Sequence, residues 1–213
     1  SFPVSTGPTT QPVPVPELEN QEDTAVFSDL YDCEWAAADI TALYEKKIIS
    51  GDQGKFYPNQ QITRAEFTKL LVLASEISTN AQGVEFTDCL KDDWFYPYVS
   101  AAYAYGFVTG RDDGTFGAQD EISRQDMAVM IYRACQSKGA LTDQTQDFNF
   151  ADSEEISPYA HQAMMSLAQS GIINGFEDGT VRPQTGTTRA QAAVIISRLI
   201  NLFDSGADLQ DAQ

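Results

Sequence analysis

Apolar residues recur with helical spacing in six stretches of this chain, and the six stretches form three pairs. In the second stretch of each pair, apolar residues stand three, six, seven and ten positions after an arginine, which is one face of an α-helix. They are Phe67, Leu70, Leu71 and Ala74; Met127, Met130, Ile131 and Ala134; and Ala192, Ile195, Ile196 and Leu199. The first stretches are shorter, with Ile40 and Leu43, Val99 and Ala102, and Met164 and Leu167. The pattern predicts three helix-loop-helix units.

Fixed landmarks around these helices indicate that the three units are copies of one another. Each unit opens on Phe-x-Asp, at Phe27, Phe86 and Phe150. An aromatic residue follows, and a glycine stands 16 positions after it in every copy. These pairs are Trp35 and Gly51, Trp94 and Gly110, and Tyr159 and Gly175. Three matches at one spacing predict internal repeats, which we assign to residues 27–79, 86–138 and 150–203.

The second helix of each repeat begins with a hydroxyl residue, an arginine directly after it, and a carboxylate or amide three positions after the hydroxyl. The hydroxyl residues are Thr63, Ser123 and Thr188, and their partners are Glu66, Asp126 and Gln191. In such a capping box, the hydroxyl accepts from a backbone N–H of the first turn, and the acid or amide accepts from the N–H of the cap. This explains the hydroxyl and the acid, but not the arginine between them.

The motif arginines Arg64, Arg124 and Arg189 lie in the first turn of their helices, where the macrodipole disfavours a cation by a few tenths of a kcal/mol. Cations are scarce in this chain, with 13 Lys and Arg against 31 Asp and Glu. Placing three of them at one equivalent position favours an anionic partner. Arg133 and Arg198, late in the second helices, need no such partner because the macrodipole favours a cation there.

The formal net charge of −18 makes nucleic acid an unexpected partner, since binding to phosphates depends on Lys and Arg. Extended contact with an anionic membrane is disfavoured for the same reason. The sequence has no apolar run long enough for a membrane span, so membrane insertion is not expected.

The two ends of the chain differ in composition from the repeats. Residues 1–25 hold five of the nine prolines, and their Pro-Val-Pro-Val-Pro run favours an extended polyproline II conformation. We interpret this segment as a linker that tethers an upstream domain of the same polypeptide. Residues 204–213 are interpreted as an acidic tail.

Catalytic and metal-binding motifs are missing from the sequence, so we predict no catalytic residue, no metal site and no cofactor. Cys33, Cys89 and Cys135 have no Cys-x-x-Cys spacing and are predicted thiols, although a bridge between Cys33 and Cys89 stays an open alternative. The acidic loops lack the alternating acids of a calcium-binding EF-hand. The one histidine, His161, has no partner at ligand spacing.

The order Phe-x-Asp, aromatic, helix, Gly-Ile-Ile-x-Gly, Asp-Gly-Thr-Phe-like loop and Thr-Arg-Ala-Glu resembles that of the S-layer homology domain, over roughly residues 27–203. The resemblance implies an all-α module, with three repeats in a pseudo-threefold arrangement around a central helical bundle. It also implies an extracellular cell-wall anchor, which binds a pyruvylated secondary cell-wall polysaccharide in grooves between repeats. The four-residue motif is complete only in the first copy, and the third copy has Gln191 in place of the acid.

The chemistry of such a ligand agrees with the position of the three arginines. A pyruvate ketal presents a carboxylate, which a guanidinium group can hold with two parallel hydrogen bonds, and the N-terminus of a helix adds N–H groups that could face the same anion. We therefore predict that Arg64, Arg124 and Arg189 bind the glycan.

The aromatic and glycine landmarks are further candidates for glycan contact, each with a structural alternative. Trp35, Trp94 and Tyr159 could stack on sugar rings, while the two tryptophans could equally anchor the core. Gly51, Gly110 and Gly175 could let the backbone approach the ligand, or merely turn the chain. A second function also stays open, in which the module contacts other proteins of a surface lattice and its arginines pair with acids of neighbouring repeats.

Overall fold

The structure, a computed structural model, describes residues 26–81, 83–141 and 148–210, with side chains as far as residue 205. The predicted linker at residues 1–25 lies outside these ranges. Six α-helices are present in the described residues: α1 Glu34–Glu45, α2 Arg64–Ala74, α3 Tyr96–Ala104, α4 Arg124–Lys138, α5 His161–Gln169 and α6 Arg189–Gln210. The described part contains only isolated β-bridges and no strand, which confirms the all-α prediction. Helix α6 continues through most of the segment interpreted as an acidic tail.

The predicted N-caps are present on all three second helices. Thr63 accepts the backbone N–H of Glu66 at 3.2 Å, and Glu66 accepts that of Thr63 at 2.9 Å. Gln191 forms the same reciprocal pair with Thr188 in α6. At α4 the prediction is half wrong, because Asp126 accepts the hydroxyl of its cap at 2.7 Å and not the backbone N–H. The side chain of Asp is one methylene shorter than that of Glu.

Helices that pack together come from different repeats. Helix α3 packs on α2, α5 packs on α4, and α1 packs on α6. The first helix of each repeat therefore covers the second helix of the repeat before it, and the ring closes from the third repeat to the first. Seven of the 11 residues of α2 are buried, but only three of the 12 residues of α1. The second helices thus form the predicted central bundle, and the first helices surround it.

Three backbone hydrogen bonds around one point mark the pseudo-threefold axis. The N–H of Ile122 donates to the carbonyl of Ile62 at 3.1 Å, that of Thr187 to Ile122 at 3.1 Å, and that of Ile62 to Thr187 at 2.9 Å. All three residues are buried, and each directly precedes the N-cap of a second helix. The ring therefore gathers the starts of the three central helices, and with them the three motif arginines, around the axis.

Candidate functional site

Each motif arginine reaches out of its own repeat to the loop of the next repeat. In all three cases, a terminal guanidinium nitrogen donates to the carbonyl of the residue directly before the loop glycine. These bonds join Arg64 Nη2 to Thr109 O at 3.4 Å, Arg124 Nη2 to Asn174 O at 2.8 Å, and Arg189 Nη2 to Ser50 O at 3.2 Å. The three guanidinium groups thus occupy equivalent positions between neighbouring repeats.

A phenylalanine ring lies beside each guanidinium group, at a distance suited to a cation–π contact. The distances from Cζ to the ring centre are 4.9 Å for Arg64 and Phe116, 5.2 Å for Arg124 and Phe176, and 4.7 Å for Arg189 and Phe56. Phe56 and Phe116 are equivalent loop residues. The third repeat has a valine at this position and supplies Phe176, from the start of its loop, instead.

Two of the three guanidinium groups keep a buried N–H without a partner among the described residues. The Nε of Arg189 donates to the carbonyl of Phe56 at 2.9 Å, whereas the Nε atoms of Arg64 and Arg124 have no acceptor. An unsatisfied buried donor costs about 1–3 kcal/mol of folding free energy. Such a cost calls for an explanation in a folded protein. One explanation is that these N–H groups donate to a bound ligand.

Arg124 is the most buried of the three, with 7% of its surface exposed. Burial, together with the positive charges of Arg198 and Arg182, lowers its pKa to about 10. A cation in this setting is held without a compensating charge. An anion entering beside it would favour the charged form of Arg124.

The other two motif arginines have an acid of the next repeat near them. Burial lowers the pKa of Arg64, and the charge of Asp126 opposes that shift. Burial also lowers the pKa of Arg189, and Glu66 opposes it. The Arg189 Nη1 to Glu66 Oε1 distance is 3.8 Å, with both side chains partly exposed, so the pair contributes at most about 1 kcal/mol. The predicted alternative of inter-repeat ion pairs is therefore present in a weak form, at one arginine.

The helix N-termini do not have N–H groups free for an anion, so that prediction is wrong. The backbone N–H of Arg64 donates to the carbonyl of Asp120 at 2.8 Å, and that of Ala65 to Ala118 at 3.0 Å. The corresponding groups of α4 and α6 donate to neighbouring repeats in the same way, and the third N–H of each helix is bound by its cap. Any anion at these sites has to be held by side chains.

The three aromatic landmarks are exposed and stand at the edges of the arginine sites. Trp35, Trp94 and Tyr159 expose 62%, 52% and 60% of their surface, so the alternative that the tryptophans anchor the core is wrong. Trp35 lines a cavity with Arg124, and Trp94 lines one with Arg189. Tyr159 donates its hydroxyl at 2.7 Å to Asp126, the acid whose charge acts on Arg64.

Each arginine site is therefore a groove built from all three repeats, with the arginine from one, the loop from the next and the aromatic edge from the third. We name the grooves by their arginine and edge residue. Groove I holds Arg64 and Tyr159, groove II holds Arg124 and Trp35, and groove III holds Arg189 and Trp94.

The loop glycines have a structural explanation in the Phe-x-Asp motif. A Cβ atom on Gly51 or Gly110 would collide with the ring of Phe27 or Phe86, and one on Gly175 would meet the ring of Phe150 at 3.0 Å. Glycine is needed because the phenylalanine that opens each repeat packs directly on the loop backbone. A contact between these glycines and a ligand stays a prediction.

Sequence reasoning missed the second arginine of two grooves. Arg198 lines groove II with Arg124 and donates to the carbonyl of Ile172 at 3.2 Å. Arg133 donates to the hydroxyl of Thr109 at 3.5 Å, beside the carbonyl that Arg64 binds. The sequence contains the signal, because Arg133 and Arg198 follow Asp126 and Gln191 by two helical turns and so share their helix face.

Other sequence predictions concern groups away from the grooves. Cys33, Cys89 and Cys135 are free and buried, as predicted for thiols, and the alternative bridge is not formed. In the described ranges, no group of three or more His, Cys, Asp or Glu side chains could hold a metal ion. Among the described helices, none combines the length and the apolar composition required to cross a membrane.

Comparison with known proteins matches all three repeats. The family model of the S-layer homology domain matches residues 26–68, 85–128 and 149–193, more than half of the chain. An endoglucanase of Bacillus sp. (strain KSM-635) is 31% identical over 186 residues, 85% of this chain and 19% of the relative. A cellulosome-anchoring protein of Acetivibrio thermocellus is 31% identical over 153 residues, 68% of this chain and 33% of the relative.

A surface-layer 125 kDa protein of Lysinibacillus sphaericus is 27% identical over 177 residues, 80% of this chain and 14% of the relative. The chain thus spans a third or less of each of these relatives, and the match to the endoglucanase falls on the repeat region. With three matched repeats, arranged in a closed ring of helices, this chain belongs to the S-layer homology domain family.

Proposed function

We propose that this chain anchors a larger polypeptide to the cell wall by binding an anionic, pyruvylated secondary cell-wall polysaccharide in grooves I, II and III. The observation that carries the proposal is the threefold placement of a buried or half-buried guanidinium group beside an exposed aromatic residue. Family membership adds that the chain is a cell-surface anchoring module located outside the cell.

The polar part of the ligand is assigned to the arginines. A carboxylate of a pyruvate ketal matches the planar fork of a guanidinium group. The helix N–H groups are occupied, and Lys69, which also lines groove III, offers no such fork. Two grooves retain an unpaired Nε–H, at Arg64 and Arg124. In a chain with a net charge of −18, each groove thus contains at least one buried or half-buried arginine.

The apolar part of the ligand is assigned to the aromatic edges. Trp35, Trp94 and Tyr159 present rings on which the apolar face of a sugar can stack. The cavities of grooves II and III have volumes of about 270 and about 230 Å³, below the roughly 300 Å³ at which pockets for drug-sized ligands begin. Grooves II and III are therefore suited to a single sugar unit with its ketal, and not to a longer segment of the polymer.

The relatives suggest what the anchor is attached to within its own polypeptide. Those named as an endoglucanase or as a surface-layer protein are much longer than this chain, so the matched region is one part of a larger protein in each. We propose that the Pro-rich segment at residues 1–25 connects the anchor to an upstream domain. The repeat region itself belongs to a non-catalytic family, and we assign it no reaction.

Co-sedimentation with purified cell walls tests the proposal. Changing Arg64, Arg124 and Arg189 together to Lys keeps the charge and removes the bidentate fork, so wall binding should be lost. Because the variant also loses inter-repeat hydrogen bonds, circular dichroism at the assay temperature checks that it is still folded. A matched control changes the exposed residues Lys46, Lys55 and Lys91 to Ala, which alters the net charge but none of the grooves. Wall binding that survives in the triple arginine variant would refute the site.

A second arm of the experiment addresses the ligand. Walls from which the ketal pyruvate has been removed by mild acid should no longer retain the protein. Undiminished retention on such walls would exclude the pyruvylated glycan and point to peptidoglycan or to a protein partner.

A further inference from the structure

The arginine and the acid of one motif face different grooves, although they are two residues apart in sequence. Glu66 belongs to the first repeat but lines groove III, with Arg189 of the third. Asp126 of the second repeat holds Tyr159 at the edge of groove I. The equivalent residue of the third repeat, Gln191, lines groove II with Arg124. Because the third motif has Gln191 in place of an acid, the groove of Arg124 lacks a carboxylate at this position. The groove of Arg189 keeps its own, from Glu66.

Groove II consequently differs from the other two in its charge. Its lining contains Arg124 and Arg198, with no carboxylate. Groove III has Lys69 besides Arg189, but also the carboxylate of Glu66, at 3.8 Å from Arg189, and a leucine, Leu73, stands where the second arginine of the other copies lies. Groove I has Arg133 as a second arginine, but also Asp126, whose charge acts on Arg64.

Gln191 contributes a donor where the other grooves have an acceptor. Its Oε1 atom accepts the backbone N–H of its cap, Thr188, at 3.1 Å, so its remaining terminal atom is an amide nitrogen. A carboxylate in this position presents a second negatively charged oxygen, as Glu66 does in groove III. An amide can donate to an anion, and a carboxylate repels one.

Groove II also shows the features of a preformed site. Arg124 exposes only 7% of its surface, its Nε–H has no partner in the described residues, and its Nη2 is fixed on the carbonyl of Asn174 at 2.8 Å. Arg198 is fixed on the carbonyl of Ile172. Both cations are thus held in place before a ligand arrives.

We propose that groove II is the principal anion site of this chain, that it holds the carboxylate between Arg124 and Arg198, and that the residue at the position of Gln191 sets the affinity of each groove. This inference rests on the proposed glycan-binding function. It ranks the grooves, with groove II strongest and groove III, whose single arginine is paired with Glu66, weaker by at least tenfold.

The two tryptophans of the chain allow the two grooves to be measured separately. In a Trp94→Phe variant, the fluorescence of Trp35 reports on groove II, and in a Trp35→Phe variant, that of Trp94 reports on groove III. The probe is a synthetic methyl glycoside carrying a pyruvate ketal, and its uncharged methyl ester is the control. Half-saturation of the Trp35 signal should need at least tenfold less probe than that of Trp94, and the ester should bind neither groove tightly.

Exchange of the motif acid tests the assigned cause. Gln191→Glu should weaken groove II by at least tenfold without lowering the unfolding midpoint, because Glu66 already forms the same capping box in α2. The reverse exchange, Glu66→Gln, should strengthen groove III. Arg198→Gln should weaken groove II and leave groove III unchanged.

The outcomes separate this inference from the function on which it rests. If both grooves bind the probe equally, or Gln191→Glu leaves the affinity of groove II unchanged, the ranking is refuted and glycan binding stands. If neither tryptophan responds to the probe, and the triple arginine variant still sediments with walls, the proposed function is refuted and the ranking falls with it.

Discussion

Thr187 is the one polar residue in the ring of backbone hydrogen bonds on the pseudo-threefold axis. The equivalent positions are Ile62 and Ile122. Thr187 is fully buried, and its hydroxyl has no partner in the described part of the structure. A buried hydroxyl without a partner costs roughly 1–3 kcal/mol relative to an apolar group of the same shape. Since valine has nearly the shape of threonine, Thr187→Val should remove this cost and keep the surrounding contacts.

We expect Thr187→Val to raise the free energy of unfolding by about 1 kcal/mol, the lower end of that range. For a protein of about 200 residues, this corresponds to an increase of about 2–4 °C in the unfolding midpoint, which calorimetry or circular dichroism can measure. Thr187→Ser is the matched control, because it keeps the hydroxyl, loses a buried methyl group, and should destabilise. A Thr187→Val variant that melts lower than the parent would contradict the reasoning and reveal a hydrogen bond at the axis, for instance to a trapped water.

Two further predictions concern groove I and the loop glycines. Burial and the hydrogen bond to Asp126 raise the pKa of Tyr159 to about 12, so its contribution to stability is complete below its usual pKa of about 10 and is lost as the pH rises through 12. In Asp126→Asn, spectrophotometric titration should show Tyr159 ionising at a lower pH than in the parent, and an unmoved transition would exclude the contact. Gly110→Ala should lower the free energy of unfolding by about 1–3 kcal/mol through overpacking against Phe86. In a Phe86→Leu background the cost should shrink, whereas equal costs in both backgrounds would assign the glycine to backbone conformation alone.

Periodicity and cap motifs predict the helices of this fold well, because both are local properties of the chain. Thr63 and Glu66 form the capping box that their spacing indicates, and the apolar faces of the second helices form the core. Which helices pack together is not local. The sequence would equally allow α1 to pack on α2, its neighbour along the chain. In the structure, α1 packs on α6 and α2 packs on α3.

The candidate site is likewise predictable only in its local features. The unusual position of Arg64, Arg124 and Arg189 in the first helical turn is visible in the sequence, and the structure places all three between repeats. The direction of each side chain is not visible. The capping-box spacing assigns Glu66 to its own helix, and its second contact, to Arg189, arises only because the chain closes into a ring.

The exchange of helices between repeats fixes how many copies this module can have. In an open solenoid, each added unit stacks on the end of the last one, so the copy number can vary. Here the last helix, α6, is covered by the first, α1, and a fourth repeat could be inserted only by opening that contact and the three-membered ring on the axis. Each groove also takes a part from every repeat, so loss of any one repeat removes all three grooves together. The three grooves are therefore present together while the ring is closed, and absent together once it opens.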